Sequence, residues 1–535
     1  MTRQKLPIGV QTFAKIRRDH YYVDKTGYAQ RLVDEGGTYF LSRPRRFGKS
    51  LFLDTLAEMF AGNKALFEGL ACYDTWDWDT AYPVVRISFG SGGGSSRAEM
   101  DQRTGEILAS NERRLGVPEG SGSLPGRLSL LVEAAEARYG QPVVVLVDEY
   151  DKPILDNLTD PEAARQMRDG LRYLYGVLKD LDAHLKFVLL TGVSKFSKVN
   201  IFSGLNNLND ITIDPRYSAV CGYTDDDVDT VFAPELDGLD RDKIRQWYNG
   251  YSWTGQTVYN PYDLLLLFDK RRFAPHWFES GTPKFLVDML VQRRFHLPDL
   301  ERLEASSSML STFEVDDMST EALLFQTGYL TVRQTVETVG LPRYVLGFPN
   351  MEVRASLTEA LLKACSPDPG QAVVRAGRLP DLLAAADFAG IEALFKAHFE
   401  SIPYNWYARL GRTTGRLDPS SAGTEKDSTA PIARYEGYYS SVFYAFFASL
   451  GLDVVPEDAS NTGRLDLAVR YAGQVFLFEL KVVADQPTGA ALQQVKDRHY
   501  ADKYLADGVP VHQIGIEFSS QARNIVAFEV ETVTL

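Results

Sequence analysis

Near the C-terminus two carboxylates and a lysine are spaced for joint chemistry. Asp466 lies in Arg464-Leu465-Asp466-Leu467-Ala468-Val469, and Glu479 and Lys481 lie in Val475-Phe476-Leu477-Phe478-Glu479-Leu480-Lys481-Val482. Both runs are rich in strand formers, and Tyr471-Ala472-Gly473-Gln474 between them reads as a hairpin turn. A hairpin centred between Ala472 and Gly473 sets Asp466 opposite Glu479, and opposed residues project from one face. Lys481, two positions beyond Glu479, points the same way. Such a set suits a metal site: carboxylate oxygens take Mg²⁺ (or Mn²⁺), which polarises a phosphodiester and activates water, while the lysine positions that water or offsets developing charge. Upstream, Glu436 shares a helical stripe with Phe443, Phe447 and Leu450, which predicts an inward-facing carboxylate. The structural alternative is a buried ion pair of Glu479 or Glu436 with Lys481 or Arg464. Gln494 and Tyr500, on the next helix, are candidates for the same site, although helix-face polarity explains them equally well.

A second chemistry is written in Arg43-Pro44-Arg45-Arg46-Phe47-Gly48-Lys49-Ser50, which follows a strand signal and opens a helix with Phe52, Leu56, Met59 and Phe60 on one face. Backbone N–H groups at such a helix start cradle phosphates, Lys49 reaches the outer phosphate oxygens, and the Ser50 hydroxyl serves Mg²⁺. Arg43 stands where a phosphate loop usually has its first glycine, which predicts a variant loop geometry. Phe47 and Gly48 complete the expected nucleotide contacts, and Arg45 and Arg46 either add phosphate contacts or are solvated surface charge. Val143 to Val147 is a buried strand by composition and ends in Asp148-Glu149. Asp148 is expected to hold Mg²⁺ through water, and Glu149 to orient or deprotonate the attacking water. Ser194, after the strand Phe187 to Thr191, is a candidate nucleotide sensor or an ordinary turn serine. The glycine stretch Gly90 to Ser96 carries no GK[ST] and reads as a flexible loop.

Strand candidates Thr38 to Leu41, Val84 to Phe89, Val143 to Val147 and Phe187 to Thr191 alternate with helical segments, the pattern of a parallel α/β sheet. The expected organisation is α/β: a phosphate-loop domain over residues 1–213, a mainly helical and aromatic middle region over 214–411, a flexible linker over 412–431 and a compact α/β domain over 432–535. That last domain is expected to hold one amphipathic helix, a strand hairpin, a further helix and a last strand. The aromatic segment Trp247-Tyr248-Asn249-Gly250-Tyr251 is expected to belong to a core or interdomain contact rather than to a base-stacking platform.

With 535 residues the chain exceeds one ordinary core, and no apolar run approaches the about 20 residues that cross a bilayer. The N-terminus lacks a secretory apolar region, and three scattered cysteines argue against a disulfide framework, so a reducing cytoplasm is expected. A net charge of −14 counts against a whole-surface polyanion binder but permits a local basic groove.

In order and identity these residues resemble a family of bacterial AAA-ATPase-like proteins fused to a C-terminal PD-(D/E)xK nuclease superfamily domain. The resemblance spans nearly the whole chain. It begins at Leu6-Pro7-Ile8-Gly9, Tyr22-Val23-Asp24-Lys25-Thr26 and the Arg43 to Ser50 loop. It continues through Val147 to Pro153, Leu190 to Ser197, Trp247 to Tyr251 and Tyr259-Asn260-Pro261, and ends with Tyr435 to Tyr439, Gly463 to Asp466 and Phe478 to Lys481. It implies that the Arg43 variant is a family feature, that ATP and Mg²⁺ are the cofactors, and that the C-terminal fold is restriction-endonuclease-like. The segment Arg412 to Pro431 is longer than the family pattern needs. The leading expectation is an ATP-regulated nuclease acting on nucleic acid, DNA before RNA. The alternatives are an ATP-driven switch with an inactive nuclease-like domain and, third, a small-molecule kinase.

Overall fold

The computed structural model describes residues 3–195, 201, 208–279, 284–293, 295–311, 319–337, 339–366, 368–401, 436–460 and 463–534. The expected linker over 412–431 lies outside them. The chain divides into two compact units, Met1–Ser280 with Leu303–Asn350, and Gly281–Arg302 with Met351–Leu535. Residues 214–411 therefore contribute to both units. No helix among the described residues is long and apolar enough to cross a membrane.

The first unit is built on a fully parallel sheet of β1 (Thr38–Ser42), β2 (Val84–Ser88), β3 (Val143–Asp148), β4 (Leu185–Gly192) and β5 (Leu208–Asp210), in the order β2-β3-β4-β1-β5. The four strands expected from sequence are all present. Every residue of β1 and the first five of β3 are buried, as parallel strands covered on both faces require. The order matters for chemistry: β4 lies between β1, which feeds the phosphate loop, and β3, which ends in Asp148, so the end of β4 is interposed between loop and acid.

The helices Asp225–Val231, Arg241–Tyr248 and Pro261–Lys270 do not form a separate body. Val228, Phe232, Ile244, Tyr248, Leu264 and Phe268 share one core with Tyr21 and Val23 from the N-terminal segment. Trp247 is partly buried against that core, 5.7 Å from the Phe273 ring, and Tyr248 and Tyr251 are fully buried, so this segment is aromatic core. The middle region also holds a small antiparallel sheet of β6 (Leu303–Ser306), β7 (Thr331–Val336) and β8 (Arg343–Gly347), ordered β6-β8-β7. Strands of four to six residues are too short for their periodicity to stand out from neighbouring helices.

The second unit carries a mixed sheet of β9 (Asp453–Ala459), β10 (Arg464–Tyr471), β11 (Gln474–Val483), β12 (Val511–Ser519) and β13 (Ile525–Val533). Their order is β13-β12-β11-β10-β9, antiparallel except for the β11–β12 pair. The hairpin, the following helix and a later strand match expectation. Edge strands β9 and β13 do not: Pro456 and three acidic residues in β9 hide a strand signal, and such residues are tolerated at an edge. The Glu436–Ala448 helix is buried nearly all round rather than amphipathic. Phe395 stacks on Phe443 at 3.9 Å, while Tyr439 stacks on Phe518 of β12 at 3.9 Å, so the helix is clasped between a helix and the sheet.

The parallel step from β11 to β12 runs through the Ala490–Asp497 helix, which packs on β12 at Gly515. A β-carbon at Gly515 would lie 2.1 Å from the backbone nitrogen of Leu492. Gly515→Ala must displace backbone on one side or the other and is expected to destabilise this unit by about 3 kcal/mol or more, read as the shift of its urea transition. A shift under about 0.5 kcal/mol would contradict the packing described.

Candidate nucleotide and carboxylate sites

The phosphate loop is fixed from below by the residue that replaces its first glycine. Arg43 is fully buried; its guanidinium donates to the carbonyls of Ser42 (2.8 Å), Thr212 (2.9 Å) and Tyr217 (2.9 Å) and lies 3.9 Å over the Trp253 ring. Left-handed backbone falls on Arg46 (φ 70°) and Gly48 (φ 93°), not on Arg43, so the β-carbon there meets no conformational obstacle. Phe47 is buried edge-on against Tyr251 and Trp253, and its carbonyl accepts from Gly222 N at 3.2 Å. Phe47 thus anchors the loop by packing. Burial pushes the Arg43 guanidinium down to about 10; its two terminal nitrogens are held by carbonyls, while Nε has no hydrogen-bond partner among the described residues.

Gly48 caps the Lys49–Phe60 helix, whose Phe52, Leu56, Met59 and Phe60 are buried as expected. Lys49 is buried, and its ammonium donates to the carbonyls of Arg43 (2.9 Å) and Pro44 (3.0 Å), leaving its third proton for a ligand. Burial lowers its proton affinity, opposed by the charge of Asp148. Ser50 Oγ donates to Asp148 Oδ2 at 2.6 Å, and Thr191 Oγ1, from the end of β4, donates to Asp148 Oδ1 at 2.9 Å. Glu149 follows in left-handed backbone (φ 54°), and burial, then the neighbouring Asp148, holds its carboxyl above the usual range.

Gly48, Lys49, Ser50 and Glu149 line a cavity of about 370 Å³, with Asp148 behind Ser50. Its lining combines Arg45, Arg46, Lys49, Ser50 and Glu149 with Val10, Val23, Tyr223, Tyr262 and Leu265. Exposed Arg46 rests over the Tyr262 ring at 4.9 Å, while Arg45 is exposed at the rim with its carbonyl taking the Trp277 indole N–H at 3.1 Å. The volume and the pairing of cationic with aromatic walls fit a nucleoside triphosphate.

Ser194 does not face this cavity. It is fully buried, with its N–H and Oγ donating to Asp151 Oδ2 at 2.6 and 2.7 Å. Val193 N donates to the same carboxylate, and burial raises the Asp151 carboxyl although those bonds oppose it. The sequence reading missed that Asp151 ties the end of β3 to the end of β4, and that Thr191 rather than Ser194 touches Asp148. A polar residue at a strand end signals both equally; only strand order decides. The glycine loop after β2 is packed rather than loose: a β-carbon on Gly93 would lie 2.5 Å from Pro153 Cβ.

In the second unit the β10–β11 register pairs Leu467 with Phe478 and Tyr471 with Gln474, which centres the hairpin between Ala472 (φ 50°) and Gly473 (φ 72°) as expected. Asp466 Oδ2 accepts from Leu480 N at 2.7 Å. Glu479 is 2% exposed; Oε1 accepts from Gln494 Nε2 and lies 3.5 Å from Lys481 Nζ, while Oε2 is buried with no hydrogen-bond partner among the described residues. Burial is the main cause that lifts both carboxyls, Asp466 to about 6 and Glu479 to about 7; the Asp466 charge raises Glu479 further, and Glu436 and Glu457 raise Asp466. An unpaired carboxylate oxygen beside a second acid fits a divalent cation, which would supply the missing partner and favour both ionised forms.

Glu436 departs from expectation in burial. It is exposed at the first position of its helix, with Oε1 3.4 Å from Val482 N, because the helix begins at the strand end instead of covering it. Its charge still acts on Asp466. Tyr500 donates to the Arg464 carbonyl at 2.9 Å within a buried cluster and does not reach the carboxylates. Glu517, fully buried on β12 beside Lys481, takes the N–H groups of Thr488 and Ala490, so it caps the Ala490–Asp497 helix.

Comparison with known families and proteins agrees with this two-part division. The family model described as "Predicted AAA-ATPase" matches residues 7–202, and that of the PD-(D/E)XK nuclease superfamily matches residues 434–528. A protein of Azotobacter chroococcum described as "Uncharacterized protein in vnfD 5'region" is 57% identical over 535 residues, covering 100% of both chains.

Two outcomes are expected. Lys49→Ala removes charge-assisted phosphate contacts and lowers Mg·ATP affinity by roughly tenfold to a hundredfold in calorimetry. A raised carboxyl binds its proton more tightly in the folded state, so between about pH 4 and pH 7 the folded state holds more protons and stability falls as pH rises. A divalent cation replaces those protons. Mn²⁺ should therefore raise the melting temperature at pH 8 and not at pH 5, and Asp466→Asn should remove the effect.

Proposed function

Because the chain belongs to the family that joins an AAA-ATPase-like domain to a PD-(D/E)XK nuclease superfamily domain, we propose that it is an ATP-regulated, metal-dependent nuclease of the cytoplasm. The observation that carries this reading is the buried, unpartnered Oε2 of Glu479 beside Asp466 and Lys481. Structural ion pairs satisfy their oxygens; this carboxylate keeps one free in a place where leaving it so costs about 1–3 kcal/mol or more.

In this reading Asp466 and Glu479 hold Mg²⁺ or Mn²⁺, whose chemistry is to polarise the phosphodiester and lower the pKa of water. Lys481, about one quarter exposed, orients the attacking water and offsets charge on the phosphate as the P–O bond to the leaving oxygen breaks. Gln494 fixes the Glu479 carboxylate. Glu436, exposed at its helix start, adds a third carboxylate at the rim. In the other unit Gly48, Lys49, Arg45 and Arg46 hold the triphosphate, and Ser50 and Asp148 hold Mg²⁺. Glu149, with a carboxyl lifted toward neutrality, takes the proton of the hydrolytic water. The substrate is nucleic acid, with DNA first to be tried.

The test is cleavage of single- and double-stranded DNA and RNA in Mg²⁺ or Mn²⁺, with and without ATP. Wild type should cut, Asp466→Ala should lose at least about 100-fold in rate, and Lys49→Ala should lose the ATP dependence. Metal-independent nucleic-acid binding with ATP hydrolysis and no cleavage would replace the nuclease by an ATP-driven switch.

A further inference from the structure

The second unit encloses another cavity, of about 380 Å³, that neither the nucleotide nor the carboxylate site uses. Leu290, Phe295, Leu361, Leu362, Val442 and Ala445 give it a mainly apolar wall. His398, from the Phe388–Glu400 helix, also lines it. That histidine is 1% exposed, and neither Nδ1 nor Nε2 has a hydrogen-bond partner among the described residues. Its ring is held edge-on by Phe446 (4.7 Å) and Phe399 (5.4 Å), which position it without satisfying it.

Two buried, unsatisfied ring nitrogens are costly, and a leucine or phenylalanine would fill the same space without that cost. Burial, with the charge of Arg375 adding to it, lowers the imidazole to about 4, so at neutral pH it is uncharged and offers one donor and one acceptor. A neutral imidazole in an apolar chamber complements an oxygen that can give or take one hydrogen bond. It does not complement a carboxylate: among the described residues the wall holds His296 and His398 but no lysine or arginine, and Arg375, whose charge acts on His398, is not part of the wall, so that charge would be buried without a permanent counter-ion in contact. The volume is above the roughly 150 Å³ that accepts benzene in an apolar cavity and within the range of small-molecule pockets.

We infer that this cavity is a binding site for an uncharged, mainly apolar small molecule carrying one hydroxyl or carbonyl oxygen, with His398 as its polar anchor. The site is independent of the nuclease reading. Gly437 and Tyr438 also line it, so a bound molecule abuts the first turn of the helix that begins with Glu436.

Calorimetric titration of the full chain with para-propylphenol, propylbenzene and para-propylbenzoate tests the inference. Saturable binding of the phenol and propylbenzene at one site, with the benzoate at least tenfold weaker than the phenol, is the expected result. His398→Leu should weaken the phenol about tenfold, one hydrogen bond of about 1.4 kcal/mol, and leave propylbenzene within twofold. Ala445→Trp, which fills the chamber, should abolish both while melting within a few degrees of wild type. The absence of saturable binding of either neutral probe to wild type would overturn the inference. So would benzoate binding as tight as phenol, or an equal loss of phenol and propylbenzene in His398→Leu.

Discussion

Burial of the Arg43 guanidinium is the constraint on which the nucleotide site depends. A permanently charged group removed from water must be surrounded by acceptors, and here three backbone carbonyls and an indole face supply them. Two of those carbonyls, of Thr212 and Tyr217, come from the chain beyond β5, so the start of the phosphate loop is tied to a segment about 170 residues away in sequence. The Arg43 carbonyl then accepts from Lys49, and Phe47 packs on the same Trp253. Loop, lysine and aromatic floor are one construction, and the left-handed turns fall where Arg46 and Gly48 can make them.

Above that floor the strand order decides the chemistry. With β4 between β1 and β3, Thr191 reaches Asp148 from one side while Ser50 reaches it from the other. Asp151 locks the loops after β3 and β4 together through three hydrogen-bond donors, all on one buried carboxylate.

The carboxylate site follows a different logic. The hairpin brings Asp466 and Glu479 together at the cost of burying two acids whose charges oppose each other, and neither lysine nor glutamine satisfies all their oxygens. Glu517 shows what a purely structural buried acid looks like in the same sheet. Its oxygens are taken by helix N–H groups and a hydroxyl, and these outweigh burial and hold its carboxyl below the usual range. Glu479 lacks that completeness, and the contrast between the two is what separates a ligand from a cap.

Much of this is legible in the amino-acid sequence alone. The four parallel strands, the hairpin centre, the convergence of Asp466, Glu479 and Lys481 and the pairing of the phosphate loop with an acidic strand end all follow from local periodicity and spacing, because strand alternation and turn chemistry act over a few residues. Tertiary structure decided what depends on neighbours distant in sequence. Ser194 turned toward Asp151 because a buried carboxylate claimed it, and Glu436 stayed exposed because its helix starts at the strand end. The helices after residue 214 joined the N-terminal core because Tyr21 and Val23 complete their apolar face. Residue type and spacing determine which groups can share a face; only the packing of the whole unit determines which of them are left with an unsatisfied atom, and that requires knowing every neighbour.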